Sequence, residues 1–189
     1  MQERLANLER QIGELLRGNV AVAARADGAP VVTADSSAIG GAIRLVLSEL
    51  RREVPYDSCS VQELRGDRLV IVGGVGFADL DVLLGESFDV ENSDIPNSEV
   101  IYRRRPLIVS DTEQYRAFRR GLHVGDGIRS WLGVPLLHGE HLLGMLALDK
   151  AEPDSYSHEH AQMALAFAAL VARALFTAAD RSLSDAAGC

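Results

Sequence analysis

At 189 residues the chain is sized for one domain with an appendage, since domains commonly run to roughly 100–200 residues. Its formal net charge of -8, with both signs interspersed, argues against a broad phosphate-binding surface, because nucleic-acid affinity rests on neutralising phosphates with Lys and Arg. Cys59 and Cys189 form neither a disulfide framework nor a metal-ligand spacing, and a core of about 150 residues needs no such staple.

Arg103-Arg104-Arg105 is too short a basic run to attract nucleic acid. No apolar stretch is expected to reach the ~20 residues of a membrane span. The amino terminus alternates charge and leucine, unlike a secretory signal. A soluble, cytoplasmic protein with no nucleic-acid or membrane partner is the expectation.

Along the chain, Leu5, Leu8, Ile12 and Leu15 make the a/d seam of a short coiled coil. Two heptads are marginal alone in water, so this helix needs a partner. Gly18-Asn19 suits its end. An Ala- and Val-rich linker follows, with a small hairpin about Asp27-Gly28 as an alternative. Ser36-Ser37 can cap a second helix, whose apolar face runs through Ile39, Ala42, Ile43, Val46, Leu47, Leu50 and Val54 to Pro55. Residues 58–64 and 68–75 read as a hairpin, residues 77–127 as a mixed crossing of short fragments, and residues 130–137 and 141–149 as a second hairpin.

A long helix begins at Ser157 with two apolar stripes. One is Met163, Phe167, Leu170, Val171 and Ala174; the other is Leu165, Ala169, Ala172 and Phe176. A second copy of the protein is the economical partner for the second stripe. The alternative is that alanines tolerate exposure and the stripe touches the first helix. The order helix, hairpin, crossing, hairpin, helix predicts an α/β (α+β) fold. A central antiparallel sheet would carry helices on one face and a roof of loops and short helices on the other. The predicted divisions are residues 1–35 for the first helix and linker, 36–178 for the domain and 179–189 for a tail.

The hairpin Ile128-Arg129-Ser130-Trp131-Leu132-Gly133-Val134-Pro135-Leu136-Leu137, returning through Leu142-Leu143-Gly144-Met145-Leu146-Ala147-Leu148, resembles a GAF domain. So do Pro55-Tyr56-Asp57-Ser58-Cys59-Ser60-Val61, Arg105-Pro106-Leu107-Ile108-Val109-Ser110-Asp111, and the segment from Tyr156 and Ser157 to Glu159-His160. The resemblance spans about residues 38 to 178 and implies a non-catalytic, small-molecule-sensing or regulatory module of a signalling protein such as a histidine kinase or cyclase. Domains of this kind also serve as ligand-free dimerisation modules. Ser93-Asp94-Ile95-Pro96 is similar to a phytochrome segment near the chromophore, but no cysteine stands where phytochromes attach bilin. The signature of cyclic-nucleotide relatives is absent, so the cofactor or ligand is unnamed.

Strand alternation sorts the candidate site. Leu132, Val134, Leu136, Leu146, Leu148, Cys59 and Val61 should lie under the helices. Trp131, Gly133, Met145, Ala147, Ser60 and Gln62 then face the roof, as in bilin-binding relatives. Tyr115, Phe118 and Trp131 would supply aromatic walls, with Ser60 and Gln62 as orienting polar groups. The alternative is that Trp131 simply fills a closed core.

No nucleophile–base pair is apparent. One enzyme of this family type, the free methionine-R-sulfoxide reductase, relies on several pocket cysteines, whereas Cys59 reads as a buried structural residue. His138 and His141 bracket a turn, and His158 and His160 open a helix; all four read as solvated. Gly73-Gly74-Val75-Gly76 reads as a sharp strand end. Asp79, Asp81, Glu86, Asp89, Glu91 and Asp94 read as a solvated acidic surface. A homodimer through the first and last helices is the expected assembly.

Overall fold

Alternating side chains give the central sheet two apolar faces, and the remaining chain is arranged to cover both. The computed structural model describes residues 2–18, 38–91, 95–116, 118 and 127–187, with side chains to residue 179. The linker hairpin, the Ser36-Ser37 cap, Ser93, Asp94 and Cys189 lie outside the described residues. The described strands are β1 (Ser58–Arg65), β2 (Arg68–Val75), β3 (Ser87–Asp89), β4 (Leu107–Val109), β5 (Ser130–His138) and β6 (His141–Lys150). They form one sheet in the order β3-β2-β1-β6-β5-β4, with every neighbouring pair antiparallel. The described helices are α1 (Gln2–Gly18), α2 (Ala38–Leu50), α3 (Leu80–Leu83), α4 (Pro96–Arg103) and α5 (His158–Ala187). The fold is thus the mixed α/β architecture expected. The crossing segment resolves into α3, β3, α4 and β4, each too short to show a period in sequence.

One core lies between the sheet and α2 with α5. It buries Cys59, Val61, Leu132, Val134, Leu136, Leu146 and Leu148 against Ile43, Val46, Leu47, Phe167 and Val171. A second, smaller core lies on the opposite face, where Trp131, Met145, Ala147 and Leu69 meet Val100 and Ile101 of α4. α2 stops at Leu50, earlier than its apolar face. The chain then turns with the Glu53 and Val54 amides donating to the Leu50 carbonyl (2.9 Å each), which keeps Val54 buried. α5 is capped at its start by a reciprocal pair. The Ser157 hydroxyl accepts from the His160 amide (3.2 Å), and His160 Nδ1 accepts from the Ser157 amide (3.3 Å).

The partner of α1 lies within the same chain. Leu8, Ile12 and Leu16 are buried against α2 and α5, while Leu15 is 41% exposed. Leu5 also packs on this core, so the buried stripe follows the expected seam through Leu5, Leu8 and Ile12 and departs from it at the end, where Leu16 takes the place of Leu15. Arg4 pairs with Glu49 (3.2 Å) and Glu53, and Arg173 with Glu9 (3.2 Å). The second stripe of α5 is likewise largely occupied within the chain. Ala172 is buried, Leu165 packs on the core, and Phe176 lies on the histidines of the β5–β6 turn, at 4.5 Å from His138 and 5.6 Å from His141. His138 and His141 thus each contact the Phe176 ring at a tilt, beyond the solvated role expected of them, although His141 remains exposed. The stretch His158–Ala179 is, contrary to expectation, long and apolar enough for a membrane span. Its alanines raise its hydropathy, and half of its most apolar part is buried in the fold.

Replacing Ile12 with Ala should cost about 2–4 kcal/mol, the usual loss for a buried isoleucine. Because Ile12 packs within its own chain, that loss in urea unfolding should not change with protein concentration; a concentration-dependent loss would place its partner in another copy.

Candidate functional site

The roofed face of the sheet carries a chain of buried polar groups. Alternation along β1 sends Ser60 and Gln62 to this face, 4% and 3% exposed. Asn97, in the first turn of α4, donates to Gln62 Oε1 (2.9 Å), and Gln62 Nε2 donates to Ser60 Oγ (3.1 Å). Each buried amide thus finds a partner, as burial demands. Around them, Phe77, Phe88, Ile95, Phe118, Trp131 and Ala147 help to enclose a cavity of about 70 Å³. Phe118 meets the Trp131 indole edge-on at 6.3 Å.

A wider groove of about 520 Å³ adjoins this cavity, and the two share Phe77, Ile128 and Asp149 as walls. Phe77 is seated there by glycines. A Cβ on Gly74 would fall 2.8 Å from the Phe77 ring, and Gly76 (φ +85) brings the chain so near β1 that a Cβ would lie 2.0 Å from the Asp57 carbonyl. Asp149, near the end of β6, is 6% exposed and accepts from the Ser58 hydroxyl (2.7 Å). Burial pushes its carboxyl up to about 7; the Ser58 bond opposes the rise and the charge of Asp57 adds to it. Asp57 behaves oppositely. The Lys150 ammonium (2.8 Å) and the Ala151 amide (2.8 Å) hold it below the usual carboxylate range.

Of the residues singled out in the sequence, Ser60, Gln62, Phe118, Trp131 and Ala147 line the inner cavity. Gly133, Met145 and Tyr115 are not on its wall. The Trp131 ring lies over Gly133, where a Cβ would come within 2.2 Å of the indole and 2.8 Å of Val100. Met145 is fully buried in the second core. Tyr115 packs partly buried against the second core, its hydroxyl donating to Glu99 (3.4 Å). Asp149, Asn97, Phe77 and Phe88 were not found from sequence. Strand parity could have given Asp149, two residues beyond Ala147 on the same face. The others stand in the aperiodic crossing, where no such signal exists.

Cys59 is fully buried in the core beneath the helices, on the sheet face opposite the cavity, and burial raises its thiol well above the ordinary range. A thiolate nucleophile is not available there. In the acidic crossing Asp79 caps α3 through the Val82 amide (3.4 Å), and Asp89 accepts from the Glu91 amide (2.9 Å).

A family model for the GAF domain matches residues 39–175. Among curated proteins no sequence matches the chain. Solved structures do. The GAF domain of a phosphoenolpyruvate-protein phosphotransferase from Coxiella burnetii is similar at TM-score 0.69 and 18% identity, covering 95% of this chain and 96% of that one. A type II free methionine-R-sulfoxide reductase from Thermoplasma acidophilum is similar at TM-score 0.61 and 17% identity, covering 72% and 91%. The GAF domain of a two-component sensor histidine kinase from Bacillus halodurans is similar at TM-score 0.61 and 14% identity, covering 72% and 92%. At these identities the likeness is one of fold, and it agrees with the sheet order and the two-sided cover described above. With most of its length matched by the family model, the chain belongs to the GAF domain family.

Proposed function

We propose that the chain is a non-catalytic regulatory module of a signal-transduction protein, binding a small molecule on the roofed face of its sheet and working as a homodimer through its first and last helices. The observation that carries the reading is the juxtaposition of buried polar groups and aromatic walls around the paired cavities, the usual composition of a small-molecule site. The GAF domains of the Coxiella phosphotransferase and the Bacillus histidine kinase support a regulatory context. Leu15, exposed on α1, supports the homodimer. A ligand that prefers one packing of the helices would shift their equilibrium, and by linkage that packing would alter its affinity.

A second reading, a ligand-free dimerisation module, is favoured by the inner cavity, whose roughly 70 Å³ has room for about two waters. A sulfoxide reductase is disfavoured by Cys59, which faces away from both cavities. Native mass spectrometry of the gently purified protein separates these. A dimer carrying a discrete extra mass is the expected result. A dimer without an adduct favours the dimerisation module, and a monomer removes the helix-mediated homodimer.

A further inference from the structure

The groove's composition bears on the chemistry of its occupant. Its walls include Phe77, Val82, Leu83 and Ile128, so a ligand there needs an apolar body. Three carboxylates border it, Asp57, Asp79 and Asp149, against one ammonium, Lys150. Asp57 is paired with Lys150 and the Ala151 amide, and Asp79 is exposed to solvent and caps α3 through the Val82 amide. Asp149 differs from both. It is the most buried of the three, it lines both the groove and the inner cavity, and among the described residues its side chain accepts from Ser58 alone. A carboxylate offers about four lone-pair sites, and the Ser58 hydroxyl takes one of them, which leaves room for a further donor arriving from the cavities that Asp149 lines.

We propose that the groove and the inner cavity form one site for a small organic cation, with an ammonium or amidinium head seated on Asp149 and an apolar body against Phe77, Val82, Leu83 and Ile128. The proposal rests on the sensor reading and narrows it to a ligand class. An organic cation suits one carboxylate flanked by apolar and aromatic walls, since its head can form charge-assisted hydrogen bonds to Asp149 while the Phe77 ring attracts positive charge. A bare metal ion does not suit it, because among the described residues no group of three His, Cys, Asp or Glu side chains is placed to hold one. An anion would meet three carboxylates. The groove's roughly 520 Å³ is within the range of small-molecule sites, whereas the inner cavity admits only the head of such a ligand.

The test uses the full chain at pH 8, above the value near 7 to which burial raises Asp149, and three probes of matched length, n-butylammonium, n-butanol and butyrate, followed through amide shifts in two-dimensional NMR. Butylammonium should move the Ser58, Gly76, Phe77 and Asp149 amides with a dissociation constant at least tenfold lower than butanol, and butyrate should leave them in place. In Asp149→Asn that preference should disappear. Equal responses to butanol and butylammonium, or a response to butyrate, would overturn the cation assignment while leaving a small-molecule site in the groove. Silence toward all three probes would overturn the site itself, and with it the choice of this face in the sensor reading. The comparison of probes on the unmodified protein decides between these outcomes even if the variant fails to fold.

Discussion

Between pH 4 and pH 8 the stability of Asp149→Asn should rise relative to the unmodified protein by about 4 kcal/mol, since each unit of pKa displacement corresponds to ~1.4 kcal/mol. The folded carboxyl sits near 7, against 3.8 in an unexceptional setting, because burial disfavours its charge. A raised acid binds its proton more tightly when folded, so its contribution is fully present below the unfolded value. It is lost as pH climbs from there through about 7. Asp57 and Asp111 act in the other sense, because the Lys150 ammonium and the Arg129 guanidinium lower their folded values. Their contribution is present above the unfolded value and lost as pH falls. The unmodified protein should therefore be most stable in mildly acidic solution, while the variant keeps its stability into the alkaline range. Urea unfolding at a series of pH values gives both curves; parallel curves would mean that Asp149 is not buried as charge.

Gly144→Ala should lose roughly 3–5 kcal/mol, combining backbone strain with overpacking. Gly144 lies in β6 at φ +146, where an L side chain is strained, and its Cβ would fall 2.0 Å from the Gln62 carbonyl of β1. Relief requires β1 and β6 to separate at the position that aims Gln62 toward Asn97 and Ser60. Gly139, at φ +56 in the β5–β6 turn with open space around it, supplies the comparison. Gly139→Ala should cost only about 1 kcal/mol, from the backbone term alone. Equal losses at the two positions would show that β1 yields freely to the intruding methyl.

The division of the sheet faces was legible because a strand has a period of two. Leu132, Val134 and Leu136 announce a buried face, and the residues between them must turn the other way. The same arithmetic gives Ser60, Gln62 and Ala147, and one step further along β6 it reaches Asp149, whose importance lies in its burial, a property that parity alone does not supply. The crossing was opaque for a different reason. Asn97 and Phe77 owe their positions to the packing of α4 and the turn at Gly76, which are long-range facts with no local signature. For α1 the pattern was ambiguous. Leu15 and Leu16 are both leucines, and only the surface offered by α2 and α5 decides which one is buried.

The tilted contact of the Phe176 ring with His138 and His141 pins α5 to the turn of the second hairpin, the fulcrum that any tilt of the helix's last turns would use. Beyond that pin the helix continues to Ala187, an arm of roughly 16 Å at the usual rise per residue. A tilt of only ~10° about the fulcrum carries the arm's end through about 3 Å, a little over half the pitch of a helical turn. At their other ends the same two strands carry Trp131 and Asp149, so β5 and β6 run directly from the cavity wall to the turn that holds α5.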